Sequence, residues 1–138
     1  MSDLSGLSSP SAPLWDSRHD YVKVALRDVV IEMRLGIADW ERRGTQKVTV
    51  TVELFSHQGA QSWSDIAECI NYDPIHNYIV TQWPSRPHTD LLETLAEELI
   101  TLCFQDSRVE AARVSLQKPD VYADAGAAEV EFYRVRGS

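Results

Sequence analysis

The stretch Lys47-Val-Thr-Val-Thr-Val-Glu-Leu54 alternates apolar and polar residues along its whole length. Successive strand side chains point to opposite faces, so Val48, Val50, Val52 and Leu54 form one apolar face opposite Lys47, Thr49, Thr51 and Glu53. A strand with one oily side covers a core on that side only, as strands of antiparallel sheets commonly do. Upstream, Val22, Val24 and Leu26 alternate in one phase, and Val29, Ile31, Met33 and Leu35 in the other. The switch at Arg27-Asp28 predicts a bulge within one long strand. That strand pairs with the Lys47–Leu54 stretch as a hairpin, across the turn-rich residues Gly36 to Gln46.

Two helical patterns follow. Asp73-Pro74 reads as an N-cap and a first-turn proline leading into Ile75, Tyr78 and Ile79. From Asp90, the residues Leu91, Leu92, Leu95, Ala96, Leu99, Leu102 and Cys103 make a wide apolar stripe, with Glu97, Glu98 and Thr101 outside it. The loop Trp83-Pro-Ser-Arg-Pro87 separates them. Two more strands, about Glu110 to Lys118 and about Glu129 to Val135, close the chain. The order β-β-α-α-β-β predicts an α+β fold: a four-stranded antiparallel sheet with two helices on one face. Met1 to His19, rich in Ser, Pro and Gly and without periodicity, reads as a disordered tail, leaving residues 20–138 as one domain.

At 138 residues the chain suits a single core, and a formal net charge of −8 argues against a nucleic-acid partner. No apolar run is long enough to span a membrane, and the N-terminus lacks a secretory pattern. Cys69 and Cys103, without CxxC spacing, read as reduced thiols of a cytoplasmic protein. The phosphate-cradling GxxxxGK[ST], GxGxxG and the nucleophile elbow GxSxG are missing. His19, His57, His76 and His88 are dispersed, and Cys69 with His76 is too small a set for zinc, so neither metal nor cofactor is expected.

What remains are polar residues at element ends. In Ala112-Arg-Val-Ser-Leu-Gln-Lys118 the apolar residues hold the even positions, and Lys118 continues that phase. Its ammonium shares the inward row with Val114 and Leu116, and Pro119 ends the ladder. Such a lysine either snorkels back to water or occupies a pocket. Glu41 lies in the turn segment and by itself reads as a solvated carboxylate. Tyr72, before the helix start, reads as a half-buried aromatic. Glu93 falls three residues after Asp90, the place of a capping-box glutamate.

Taken together these segments resemble the dihydroneopterin aldolase family. Leu35-Gly-Ile-Ala-Asp-Trp-Glu-Arg-Arg-Gly-Thr-Gln46 with the strand after it resembles the family's first hairpin. Ser64-Asp-Ile-Ala-Glu-Cys-Ile-Asn-Tyr72 is similar to its stretch ending in an active-site tyrosine. Leu91-Leu-Glu-Thr-Leu-Ala-Glu97 is similar to its pterin-anchoring helix start, and Gln117-Lys-Pro119 to its catalytic lysine motif. The resemblance runs from about Tyr21 to Arg136.

The resemblance implies the tunnelling fold and a metal-free retro-aldol cleavage of 7,8-dihydroneopterin, with a pterin as the small-molecule partner. It makes Lys118 the general acid/base, places Glu41 and Tyr72 against the reacting side chain, and anchors the pterin on Glu93 and the main chain of Leu92. It also implies a homo-octamer of two tetrameric rings, with sites at subunit interfaces. A lysine serving as base near neutrality needs burial or a neighbouring cation to pull its pKa below the model value of about 10.4. Two rivals share the fold: an epimerase acting at C2′ of dihydroneopterin or its triphosphate, for which Arg42, Arg43 and Arg86 are candidate phosphate contacts, and a silent pterin-binding protein. Glu129 stands where the family commonly has glycine, and its alternation with Val130 points it to solvent.

Overall fold

The computed structural model describes residues 15–58, 63–66 and 69–137. Strand β1 (Tyr21–Met33) pairs antiparallel with β2 (Gln46–His57), β2 with β3 (Ala111–Lys118), and β3 with β4 (Ala128–Val135). The sheet order is therefore β1-β2-β3-β4. Helices α1 (Asp73–Gln82) and α2 (Leu92–Cys103) cover one face, α1 against β1 and α2 against β3 and β4. This is the fold expected from the alternating strands and the two apolar stripes.

The bulge lies where the phase switch puts it. Leu26 pairs with Val52 and Val29 with Val50, so Arg27 and Asp28 together oppose Thr51. Asp28 takes a φ of 56°, and its N–H donates to Thr51 Oγ1 at 3.0 Å. Asp tolerates this left-handed conformation better than a branched residue. The extra residue returns Val29, Ile31 and Met33 to the helix side, where Val48, Val50, Val52, Val114 and Leu116 also point. From α2, Leu92, Leu95, Ala96, Leu99, Ile100 and Cys103 close that core, each large side chain contributing about 1.5–3 kcal/mol by leaving water. On the helix-free face Glu53, only 7% exposed, meets Lys23, Arg27 and Arg113, beside the aromatic Phe55 and Tyr133.

Three local expectations change. Asp73 is the first residue of α1 rather than its cap; Tyr72 occupies the cap, and Asn71 Oδ1 accepts the Asp73 N–H at 3.0 Å. Asp90 does not cap α2, because it accepts a hydrogen bond from Arg42 at 3.1 Å while Leu91 takes the cap position. Arg86 is neither solvated nor available to a phosphate. Its guanidinium forks onto both oxygens of Glu98 at 2.7 and 2.8 Å, beside Tyr78 and the fully buried Trp83, and so anchors the loop between the helices. Glu129 is exposed as expected and accepts Gln117 Nε2 at 2.7 Å.

At the N-terminal side, residues 1–14 of the expected tail lie outside the described residues. Of Trp15 to His19, also assigned to that tail, Trp15 and Asp16 are half-buried against the sheet and Ser17 to His19 are exposed. Trp15 stacks near Tyr21, Phe55 and His57, with ring centroids 5.3, 5.8 and 4.4 Å away. Among the described residues no helix is long and apolar enough to cross a membrane.

Candidate active site

Glu41 is where sequence and structure differ most. Residues 36–46 contain a short 3-10 helix, Asp39–Arg43, which turns the Glu41 side chain inward and leaves it 7% exposed. Its carboxylate Oε1 accepts the N–H groups of Ile37 and Ala38 at 3.1 Å each. Oε2 accepts Gln46 Nε2 at 2.9 Å and Lys118 Nζ at 2.8 Å. Four donors fill the acceptor sites of one carboxylate. Burial opposes ionisation, but the bonds from Lys118, Gln46 and Ala38 outweigh it and hold the carboxyl at about 2. Glu41 is thus anionic across the neutral range.

Glycine at position 36 is a requirement of this arrangement. Gly36 has a φ of +119°, a region that L side chains rarely adopt, and a Cβ there would overlap the Glu41 carboxyl. The carboxylate lies directly against the Gly36 backbone. Gly36 is held in turn by its N–H to Thr89 O at 3.0 Å and by His88 Nε2, which donates to its carbonyl at 2.6 Å. These contacts bind the hairpin turn to the loop that leads into α2.

Lys118 occupies the inward row, with 17% of its side chain exposed, and forms a salt bridge with Glu41. It therefore does not snorkel to water. Activation by a neighbouring cation is not what the fold provides; the neighbour here is the Glu41 carboxylate, 2.8 Å away. At the same end of the sheet, α2 begins without a side-chain cap. The first backbone N–H groups of a helix have no intrahelical partner, and those at Leu92 and Glu93 open this one. Leu92 buries its side chain in the core, whereas Glu93 is exposed and has no hydrogen-bond partner among the described residues. The capping-box role expected for Glu93 is absent: with Leu91 as cap it sits at the second helical position.

Tyr72 lies elsewhere. It caps the N-terminus of α1, is 44% exposed, and lies between Asn71 and the first-turn Pro74. Those two line a depression with Leu54, Ile75, Asp106 and Val109. Leu54 is level with Ala112 in the sheet, and from Ala112 to Lys118 the strand climbs roughly 20 Å at about 3.3 Å per residue. One chain therefore brings Glu41 to Lys118 and sets the α2 start at their end, but holds Tyr72 at the other. Gln46, Gly36 and His88 carried no mark of function in the sequence, although the phase of β2 does turn Gln46 inward with Val48.

Residues 24–133 match the dihydroneopterin aldolase family, to which the chain therefore belongs. It is an enzyme of that family, a carbon–carbon lyase. A dihydroneopterin aldolase of Haemophilus influenzae is 25% identical over 104 residues, 75% of this chain and 87% of the relative. A Burkholderia dihydroneopterin aldolase bound to guanine superposes with a TM-score of 0.70 at 29% identity, covering 85% of this chain and 93% of that one. The Escherichia coli enzyme in complex with neopterin shares the fold, with a TM-score of 0.69 at 24% identity over 82% of this chain and 98% of its own.

Proposed function

We propose that the protein cleaves 7,8-dihydroneopterin between C1′ and C2′, giving 6-hydroxymethyl-7,8-dihydropterin and glycolaldehyde. The observation that carries this reading is the inward Lys118 held by a buried carboxylate, at the end of the sheet where α2 starts uncapped. The relatives support it: one binds guanine and another neopterin, and both ligands have the amino-amide edge that a carboxylate such as Glu93 recognises with two parallel hydrogen bonds. The main-chain N–H at Leu92 adds a fixed donor beside it.

The reaction balances within the substrate. The 2′-hydroxyl loses its proton, C1′–C2′ breaks with C2′ becoming the aldehyde, and the electron pair passes from C1′ into the C6=N5 imine. A proton returned to C1′ completes the hydroxymethyl group. Because the imine takes up the electron pair, neither a metal nor a Schiff base is needed. Lys118, acting directly or through water, moves the proton and stabilises charge developing at N5. Glu41 is a poor base with its carboxyl at about 2. Its part is to position Lys118, and it meets the substrate only when Lys118 turns from it to the ligand. Tyr72 relays the proton to C1′.

Since Tyr72 and Lys118 lie at opposite ends of one chain, a complete site takes Tyr72 from a neighbouring subunit. Strands β1 and β4 are both sheet edges in the single chain, and an exposed edge is a surface for pairing with another sheet. This supports rings of subunits, and with them the homo-octamer of two tetramers. Incubation with 7,8-dihydroneopterin tests the proposal. Release of glycolaldehyde together with hydroxymethyldihydropterin is expected. A retained side chain inverted at C2′ makes the protein an epimerase, and binding without turnover makes it a silent pterin binder. Of the three cations suited to a triphosphate, Arg86 is tied to Glu98 and Arg42 to Asp90, while Arg43 is exposed.

A further inference from the structure

Far from Lys118, the chain assembles a second cluster of chemically capable side chains. A turn closed by the His19 N–H to the Asp16 carbonyl, at 3.2 Å, presents both side chains on one side. Asp16 Oδ2 lies 3.0 Å from His19 Nδ1 and 2.9 Å from Nε2 of His57, at the end of β2. The three ligand atoms all lie within 4.8 Å of one another. On the far side of the imidazole, Glu110 Oε1 is 2.7 Å from His57 Nδ1. The histidines dispersed in the sequence thus converge through folding of the segment before β1.

We propose that Asp16, His19 and His57 form a binding site for a divalent transition-metal cation of the zinc type, clasping residues 15–20 to the end of the sheet. With metal–ligand bonds of about 2.0–2.1 Å, tetrahedral ligand atoms stand roughly 3.3 Å apart. Seating the ion takes a parting of the two Asp16 contacts by a few tenths of an ångström and a settling of the two histidine nitrogens, which lie within 4.8 Å of each other, to the same spacing. Glu110 accepts the Nδ1–H of His57, and the ion takes the place of the proton that Nε2 shares with Asp16; a carboxylate behind a ligating histidine is the usual orienting device at such sites. Trp15, stacked on His57, fixes the tilt of the ring. An open depression of about 520 Å³, lined by Arg18, His19, Asp20, His57 and Gln58, admits the ion and a water as fourth ligand. Two imidazoles and one carboxylate suit zinc, cobalt or nickel and not magnesium.

Arg18 is a further charged neighbour of the cluster: its Nε is 3.4 Å from Asp16 Oδ1, and its side chain is largely exposed and free to turn away.

The full chain, freed of metal by dialysis against a chelator, is titrated with Zn²⁺ by calorimetry and with Co²⁺ by visible absorption. One saturable site per chain is expected near neutral pH, with a four-coordinate cobalt spectrum and no response to Mg²⁺. Glu110→Ala should weaken Zn²⁺ binding about 10- to 100-fold. His19→Ala, at an exposed position that the fold does not need, should weaken it further, and His76→Ala on the open face of α1 should leave it unchanged. A wild-type chain without saturable Zn²⁺ binding overturns the proposal. So does a His19→Ala variant that keeps wild-type affinity.

Discussion

The two ends of the sheet are built to opposite standards. At the Lys118 end every oxygen lone pair of Glu41 is occupied, Gly36 is pressed against the carboxylate, and the hairpin turn is bonded to the start of α2. At the Tyr72 end the aromatic ring is nearly half exposed, and the nearby depression is open. The first end is closed by contacts within the chain; the second leaves Tyr72 exposed. The contrast teaches that rigidity and completeness are separate properties of a site. On the proposed function, the chain pre-organises the half that handles charge and takes its tyrosine from a neighbouring subunit.

The largest effect is expected from Lys118→Ala. Turnover of 7,8-dihydroneopterin should fall about 100- to 10,000-fold, as for loss of a general acid/base, with pterin affinity retained. Near-normal glycolaldehyde release would remove Lys118 from the chemistry. Mixing subunits sharpens the comparison of the two ends. Rings assembled from equal amounts of Lys118→Ala and Tyr72→Phe chains should recover turnover at roughly a quarter of their interfaces, by random assortment in a symmetric ring. If mixing restores nothing, both residues act within one chain.

Glu93→Ala should weaken pterin binding about 10- to 100-fold, the loss of charge-assisted hydrogen bonds. Thermal stability should hardly move, because Glu93 caps nothing; a large drop in melting temperature with intact affinity would reverse that assignment. Gly36→Ala should destabilise the fold by about 1–3 kcal/mol through backbone strain, and should slow turnover because the Glu41 carboxyl must shift. Denaturant titration of the variant measures the first, and product assay the second.

A further effect is a pH dependence confined to the acid range. The folded chain holds the Glu41 carboxyl at about 2, below its ordinary 4.5, so the unfolded state binds the proton more readily. The stabilisation is fully present above the ordinary value and fades as pH falls toward the folded one. Replacing Glu41 with Gln should flatten the acid limb of the stability curve in that window; an unchanged limb would show that Glu41 does not carry it.

The elements were legible because period-2 and period-3.6 patterns survive in single strands and helices. Even the bulge was readable, since a phase switch needs only local sequence. Helix starts were less so: Asp73 and Asp90 look like caps, but Tyr72 and Leu91 occupy those places because Asn71 and Arg42 compete for the same groups. Read alone, Glu41 suggests a solvated carboxylate, because its burial depends on Gln46 and Lys118, and the latter is supplied by a strand at the far end of the chain. For the same reason the Asp16–His19–His57 cluster was invisible: no sequence spacing records that residues before β1 fold back onto the end of β2.

The bulge at Arg27-Asp28 also sets a rule for how this chain tolerates insertions and deletions. On either side of it β1 runs in a different odd-even frame, and the single surplus residue reconciles the two. Removing one residue between Leu26 and Val29 would turn Val22, Val24 and Leu26, or else Ile31 and Met33, away from the helices. A one-residue addition at Val121 to Ala127, between β3 and β4, shifts no strand pairing. The segment least able to change length is therefore a strand at the sheet's edge, where divergence is usually cheapest.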